Sequence, residues 1–299
     1  MSITAINLAQ IAAPDAVEIV DFEAILGQIK ADFLMRVPAL AAALDLESEP
    51  VTKLLQTSAY RETVLRAHIN DTARAVMLPT ATGADLDNLV ALFGVARLVV
   101  TPADPTAVPP VIAVMESDAD LRRRYLLALD GFSTAGSRGA YLYHALSASG
   151  AVLDASVISP TPGQVLVTVL GRDGTGVPDA ATLEAVTARL NDERVRPLCD
   201  SVTVAPAVIQ PFAVTAALTM FAGPDPEVTR AAAEAAVAAY AAEAHRLGRA
   251  IRLSAIYRAL HQPGVEAVTL TSPAADIEGD PGTATHCTAI TVTIAEDAP

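Results

Sequence analysis

Apolar and polar residues follow helical spacing through about the first eighty positions, and helical and strand spacing alternate after that. The pattern predicts a helix from Ala16 to Met35 that stops before Pro38, and then a short helix from Ala39 to Leu46. The longest helical pattern runs from Val51 to Leu78 without Gly or Pro. At 1.5 Å per residue it could form a rod of roughly 40 Å, which is long for a globular helix.

The long helix carries a thin apolar stripe, and two interpretations of that stripe stay open. It could pack as a core helix inside its own domain, or it could bury the stripe in a bundle with another chain. Only two shorter helices are available to cover it, which favours the bundle. The candidate partner contacts are Leu54, Leu55, Leu65, Ile69 and Val76.

A joint is predicted just after the long helix. Asp85 is expected to cap a short helix, and Gly94 to supply the left-handed residue that ends it. The joint motif is Gly83, Asp85, Leu86, Leu89 and Gly94, and the predicted apolar face of the short helix is Leu86, Leu89, Leu92 and Phe93.

Four prolines between Thr101 and Pro110 predict a linker, because prolines this dense exclude helix and central strand. Ser117 and Asp120 then resemble a capping box that opens a helix through Leu129. Further helices are predicted at 140–148, 179–191 and 225–247, with another capped by Ser254. Strands are predicted at 151–159, 164–170, 200–205, 212–220, 250–253, 265–271 and 288–294.

The second half contains a short internal echo. A helix, a glycine, a strand, a Ser-Pro pair and a second strand occur around Ser159 and again around Ser272. We therefore predict an α+β fold, with an N-terminal helical arm followed by two related small α/β domains built on antiparallel sheets. The predicted domains are a bundle arm at 1–80, a joint, linker and connecting helix at 81–135, and α+β domains at 136–206 and 207–299.

Composition and charge narrow the possible partners. The net charge of −14 argues against a nucleic-acid partner, which would require clustered Lys and Arg. The start of the chain lacks the cationic residues of a signal peptide, and the Ala-rich run at 231–244 contains Glu234 and Glu243, so no membrane span is expected. We expect a soluble protein made in a cytoplasm, with Cys199 and Cys287 outside any disulfide framework.

No pattern of catalytic or ligand-binding residues is found. The five histidines lack metal-site spacing, and neither cysteine lies in a nucleophile motif, so no catalytic residue, cofactor or metal is predicted. The glycine-rich segments 136–139 and 171–176 fail the phosphate-loop patterns and are interpreted as turns. On a helix the side chains of Arg122, Arg123 and Arg124 point in different directions and do not converge on one phosphate group. They are therefore interpreted as part of a solvated or interface face.

Taken together, a series of short motifs resembles the baseplate J-like family, the wedge proteins of contractile-tail phages, tailocins and related injection machines. The resemblance covers nearly the whole chain. It is carried by Tyr60-Arg61-Glu62, Asn70, Gly83 to Leu89, Gly94-Val95, Glu116-Ser117-Asp118, Arg122, Arg124, Gly136-Ser137, Ala140-Tyr141, Ser159-Pro160, Pro162-Gly163 and Asp192 to Pro197.

The resemblance implies a structural subunit. In such assemblies two copies associate with a smaller wedge protein through N-terminal helices, and later domains link neighbouring wedges into a ring around the tail hub, beside sheath-initiating proteins. Rearrangement of the ring would couple host binding to sheath contraction. The expected location is the virion tail baseplate or a tailocin particle, assembled in the host cytoplasm. Two alternatives remain: a soluble enzyme, and a binding module such as a carbohydrate-binding adhesin, which the lack of Trp disfavours.

Overall fold

The computed structural model describes residues 8, 11, 17–133, 136–221, 223 and 225–295. The chain divides into two compact units, Met1–Ala96 and Arg97–Pro299. The first is helical and the second contains small sheets with helices, so the α+β class is confirmed.

Helices form the whole regular structure of the first unit within its described residues. They are α1 (Phe22–Arg36), a 3-10 turn (Pro38–Leu40), α2 (Ala41–Leu44), α3 (Pro50–Ala75) and α4 (Gly83–Ala91). Helix α1 starts later than its pattern suggested because Asp21 is its N-cap and accepts bonds from Glu23 N and Ala24 N. Helix α3 begins within one residue of the predicted Val51, with Pro50 in the first turn, where its missing N–H needs no partner, and it ends at Ala75, before the predicted Leu78.

The second unit opens with a two-stranded ribbon and then contains two three-stranded sheets with their helices. Its elements are β1 (Val99–Thr101), β2 (Val114–Met115), α5 (Asp118–Leu126), α6 (Ala128–Gly131), α7 (Arg138–Leu146), β3 (Val152–Ile158), β4 (Gln164–Gly171), α8 (Ala180–Leu190), β5 (Ser201–Pro206), β6 (Val208–Met220), α9 (Pro226–Ala244), α10 (Leu253–Leu260), β7 (Val265–Ser272) and β8 (Thr283–Ile294).

The first sheet has the order β3-β4-β5. The strands predicted at 151–159 and 164–170 form an antiparallel hairpin, β3 and β4, whereas β5 pairs with β4 in parallel, so the sheet predicted to be antiparallel is mixed. Helix α8 makes the crossover that a parallel pair requires. The valine face of β4 lies in the core, with Val167 and Val169 packed in a cluster that also contains Val186 and Leu190 of α8.

The second sheet has the order β7-β6-β8. Strand β6 pairs antiparallel with β7 and parallel with β8, so this sheet is mixed as well. Because β6 lies between β7 and β8, these two strands do not pair with each other, whereas β3 and β4, the strands of the other half of the echo, do. The sheets therefore differ in connectivity, although each has a central strand with one antiparallel and one parallel neighbour.

The start of one helix in the second unit follows its predicted cap, Ser117, and the start of another departs from its predicted cap, Ser254. Ser117 and Asp225 are the N-caps of α5 and α9 and accept bonds from backbone N–H groups of the first turn. Ser254 is not a cap, because α10 begins at Leu253, whose N–H donates to Asp276 Oδ1 over 2.8 Å. The strand predicted at 250–253 is an isolated bridge between Ile251 and Ile277.

Candidate partner-binding surfaces

Helix α3 has a buried face that packs inside the first unit. Leu55 and Ala59 lie in a hydrophobic cluster with Ile25 and Leu26 of α1 and Leu44 of α2. Leu55 is only 8% exposed, so its assignment as a partner contact is corrected. The side chain of Leu55 is buried against α1 and α2, so it is not accessible to another protein.

The other four predicted contact residues are exposed along a different face of α3, with Val76 at its C-cap. Leu54, Leu65, Ile69 and Val76 are 68%, 58%, 54% and 67% exposed. At 100° per residue they lie within about 60° of one another around the helix. We call these four residues the α3 seam. Exposed apolar side chains aligned on one helix face are typical of a surface that binds another helix.

An open groove of about 750 Å³ runs beside the middle of the seam, and Leu65 and Ile69 are part of its lining. Its other walls carry charge. Arg66 donates hydrogen bonds from Nε and Nη2 to Glu62 Oε1. Its Nη1 donates to Glu18 Oε2 over 3.0 Å. The hydrogen bond to Glu62, with the charge of Glu18, holds the pKa of Arg66 above its ordinary value. The groove therefore combines an apolar lining with charged walls.

The joint motif forms helix α4, but Asp85 is not its cap. The helix begins at Gly83, whose φ of +53° favours glycine, and Thr82 is the N-cap residue. Asp85 lies in the first turn, where its charge suits the positive end of the helix. Gly94 has φ +69° after the helix ends, as predicted.

Helix α4 buries a face that differs in part from the predicted one. Leu86 and Val90 are fully buried and Leu89 is half-buried, whereas Leu92 is 81% exposed. Val90 lies four residues after Leu86 and so shares its face, while the helix ends at Ala91 and Leu92 leaves that face. The prediction was therefore right for Leu86 and wrong for Leu92.

The predicted linker contains a ribbon formed by β1 and β2. From Val99 to Met115 the only charged residue is Asp104, whose carboxylate accepts bonds from Thr106 and Ala107. Large apolar side chains are exposed along this segment: Val99, Val108, Val111, Ile112, Val114 and Met115. We call residues 99–115 the apolar ribbon. Two strands alone are marginally stable in water, so the ribbon depends on its base.

The base of the apolar ribbon is held by close packing and by buried charge. A Cβ added to Gly150 would overlap the backbone of Val99 and Val100, so this contact requires glycine. Glu116, the next residue after the ribbon, accepts two bonds from Arg124 while Leu98 N donates to Glu116 Oε2. The side chains of Arg124 and Glu116 are each 4% exposed, so the interpretation of the arginine run as a solvated or interface face is wrong for Arg124.

Catalytic and metal-binding chemistry has few candidates in the described part of the chain. His245 and His286 lie with their ring centroids 5.5 Å apart, a proximity that no local sequence pattern indicates. No group of three His, Cys, Asp or Glu side chains that could hold a metal occurs among the described residues. Cys199 and Cys287 are free thiols. None of the described helices has the length and apolar character needed to cross a membrane.

Comparison with known proteins identifies the family of the chain. Residues 47–104 match the Baseplate J-like N-terminal domain, 133–206 the Baseplate J-like central domain and 212–293 the Baseplate J-like protein C-terminal domain. Baseplate protein J of Escherichia phage P2 is 49% identical over 288 residues, which is 95% of each chain. The chain belongs to the baseplate J-like family. Membership supports a structural role in a phage tail baseplate.

Several of the baseplate J-like motif residues have structural roles around helix α7. Ser137 is its N-cap, which confirms that segment 136–139 is a helix-entry turn. Gly136 has φ +69° and lies against Pro197 and Asp200. The hydroxyl of Tyr141 donates to Asp200 Oδ2 over 2.7 Å, and burial together with this bond raises its pKa. These residues therefore hold α7 against the chain entering β5.

Proposed function

We propose that this protein is a structural wedge subunit of a contractile phage tail or tailocin baseplate. In this proposal the first unit joins a helical bundle with a second copy and a smaller wedge protein. The second unit contacts neighbouring wedges, the tail hub or sheath-initiating proteins in a ring. Rearrangement of the ring couples host binding to sheath contraction, and the particle assembles in the host cytoplasm.

The α3 seam is the observation that carries the proposal. Helix α3 spans about 39 Å, while α1 and α2 use only its buried face. The seam extends along most of this length, from Leu54 to Val76, so its natural complement is another long amphipathic helix. A compact globular partner would cover only part of such a line.

The groove beside the seam supports a helical partner in particular. An apolar stripe of the partner would contact Leu65 and Ile69, and flanking charged residues could pair with Arg61, Glu62 and Arg66. Apolar contacts flanked by charges are the arrangement by which helices select partner and register. The chain carries a net charge of −14, so a less acidic partner protein would also reduce repulsion in the bundle.

The apolar ribbon supports the second set of contacts. Its exposed apolar side chains and its single, internally bonded charge suit it for burial against protein. We assign it to contacts with neighbouring wedges or with hub and sheath-initiating proteins. The proposed role is purely structural and involves no cofactor, nucleic acid, membrane or catalytic residue.

Co-expression with the product of a neighbouring small tail gene tests the bundle. We expect a stable complex of defined stoichiometry by native mass spectrometry, and its loss in Leu65→Asp and Ile69→Asp. The matched control is Val177→Asp, because Val177 is also 54% exposed but lies outside the first unit. A monodisperse monomer unaffected by the small protein, or full assembly of both seam variants, would rule out the bundle.

A further inference from the structure

A cluster of ion pairs in the second unit connects three parts of the chain that the sequence separates widely. These parts are helix α5 with Asp120 and Arg123, the hairpin of β3 and β4 with Asp154 and, just after β4, Arg172, and the segment just after α9 with Arg246. We call these five residues the junction cluster. We call the first sheet with α7 and α8, and the second sheet with α9 and α10, the two sheet modules. Helix α5 and strands β3 and β4 contact the cluster from the side of the first module, and the segment after α9 contacts it from the second.

Asp154 forms hydrogen bonds to α5, to its own strand and to the segment after α9. Its Oδ1 accepts from Arg123 Nη2 and from Ala155 N, and its Oδ2 accepts from Leu247 N over 3.0 Å. The residue is 4% exposed, in the middle of a strand that is otherwise mostly apolar. Its two oxygens therefore join α5, its own strand and the segment after α9.

Asp120 and Arg246 form the second connection. Asp120 Oδ2 lies 2.8 Å from Arg172 Nη1, and Asp120 Oδ1 lies 3.5 Å from Arg246 Nη2. Arg246 Nη1 also donates to the carbonyl of Leu153 over 3.0 Å. Burial lowers the pKa of Arg246, and the charges of Asp120 and Asp154 oppose that effect. The charge of the Arg246 guanidinium group is therefore stabilised by Asp120 of α5 and Asp154 of β3.

The apolar contact between the two modules is small by comparison. It consists of a cluster of three buried residues, Leu170, Ala207 and Ala284, with a few half-buried neighbours. Two further bonds join the modules in the described part of the chain, from Ser156 Oγ to Pro281 O and from Ala207 N to Val169 O. Each sheet has its own larger hydrophobic core. Most of the specific polar contact between the modules therefore lies in the junction cluster.

We propose that the junction cluster is a latch that makes α5 and the two sheet modules move as one body. The carboxylate of Asp154 is buried, so separating it from its partners leaves its charge uncompensated and favours the closed arrangement. In this proposal the latch switches between that arrangement and an open one. When the latch opens, the modules separate along the Asp154–Leu247 and Asp120–Arg246 contacts while each sheet keeps its core. The proposal does not depend on the baseplate role.

Hydrogen exchange of the full chain tests the latch, because the Leu247 amide reports directly on its bond to Asp154. In Asp154→Asn we expect this amide to exchange at least about tenfold faster, while amides of β6 and α9 keep their protection. Glu234→Gln is the control, since it removes the charge from an exposed pair with Arg230 and should leave Leu247 unchanged. Unchanged exchange at Leu247 in Asp154→Asn would overturn the proposal.

A second variant decides the matter if Asp154→Asn unfolds completely. Asp120→Asn weakens only the contacts with Arg172 and Arg246 and leaves Asp154 in place. The latch predicts faster exchange around residues 246–248 in this variant, with both sheet cores still protected. Equal loss of protection in the cores and in this segment would show that the cluster stabilises the fold as a whole and is not a latch.

Discussion

The side-chain amide of Asn70 is bonded at both ends to the backbone of Glu18. Asn70 Nδ2 donates to Glu18 O over 2.8 Å, and Glu18 N donates to Asn70 Oδ1 over 3.0 Å. Asn70 is 5% exposed. The pair fixes the segment ahead of α1 against the C-terminal half of α3, beside the groove that we assign to a partner helix.

Replacing Asn70 by Ala should therefore loosen the wall of the groove. Both bonds are lost and the Glu18 backbone groups are left without their partner, so we expect the first unit to lose about 1 to 3 kcal/mol of stability. Native-state hydrogen exchange of the α1 and α3 amides measures this. Asn88→Ala is the control, because Asn88 is exposed and bonds only Ala84 O. Equal effects of the two changes would contradict the role given to Asn70.

Sequence predicts the ends of helices where the cap is a near neighbour. Ser117 and Asp225 bond N–H groups two or three residues further on, so their patterns are visible locally. The start of α10 depends instead on Asp276, which lies 23 residues from Leu253, and no local pattern contains that contact. Strand pairing is hidden for a similar reason, because period-2 alternation is the same in parallel and antiparallel sheets.

The candidate surfaces were predictable in part. Helical spacing was enough to find Leu65 and Ile69, but it could not separate Leu55 from its neighbour Leu54. These adjacent residues differ by about 100° around the helix, and only the position of α1 decides which one is buried. One feature of the sequence indicates the junction cluster, the charged Asp154 inside an apolar strand. Another member, Arg246, lies 92 residues further along the chain, so no local pattern connects the two.

His144 should make the first sheet module sensitive to mild acid. Burial lowers its pKa below the ordinary 6.5, Arg189 acts in the same direction, and Gly131 and Asp192 oppose them. Between the lowered folded pKa and 6.5 the unfolded chain binds a proton that the folded chain excludes. Stability from this group is therefore complete above the ordinary pKa and is lost as the pH falls below it.

The pH dependence of hydrogen-exchange protection in α7 and β4 measures the effect of His144. We expect protection to fall between pH 7 and pH 5, and His144→Gln to make that fall shallower whatever its effect at pH 7. His68→Gln serves as the control, since His68 is exposed on α3. A slope in His144→Gln equal to that of the wild type would show that another group is responsible.

The apolar ribbon should affect assembly without affecting folding. Ile112 is 83% exposed, so Ile112→Asp should change stability by only about 0.5 kcal/mol. If the ribbon contacts other baseplate subunits, the same change should sharply reduce incorporation of the protein into tail particles. Thermal unfolding and quantitative particle composition measure the two effects. Normal incorporation, with Val177→Asp as the matched exposed control, would remove the ribbon from the proposed interfaces.

Site-specific photo-crosslinking in assembled particles tests the central claim, that the α3 seam binds a partner helix. A photoreactive residue at position 69 should link this protein to a second tail polypeptide. The same residue at position 71 should give little or none, because Asp71 is exposed but lies about 160° around the helix from Ile69. Crosslinks of equal yield at both positions, or none at position 69 in particles that contain the protein, would contradict the account.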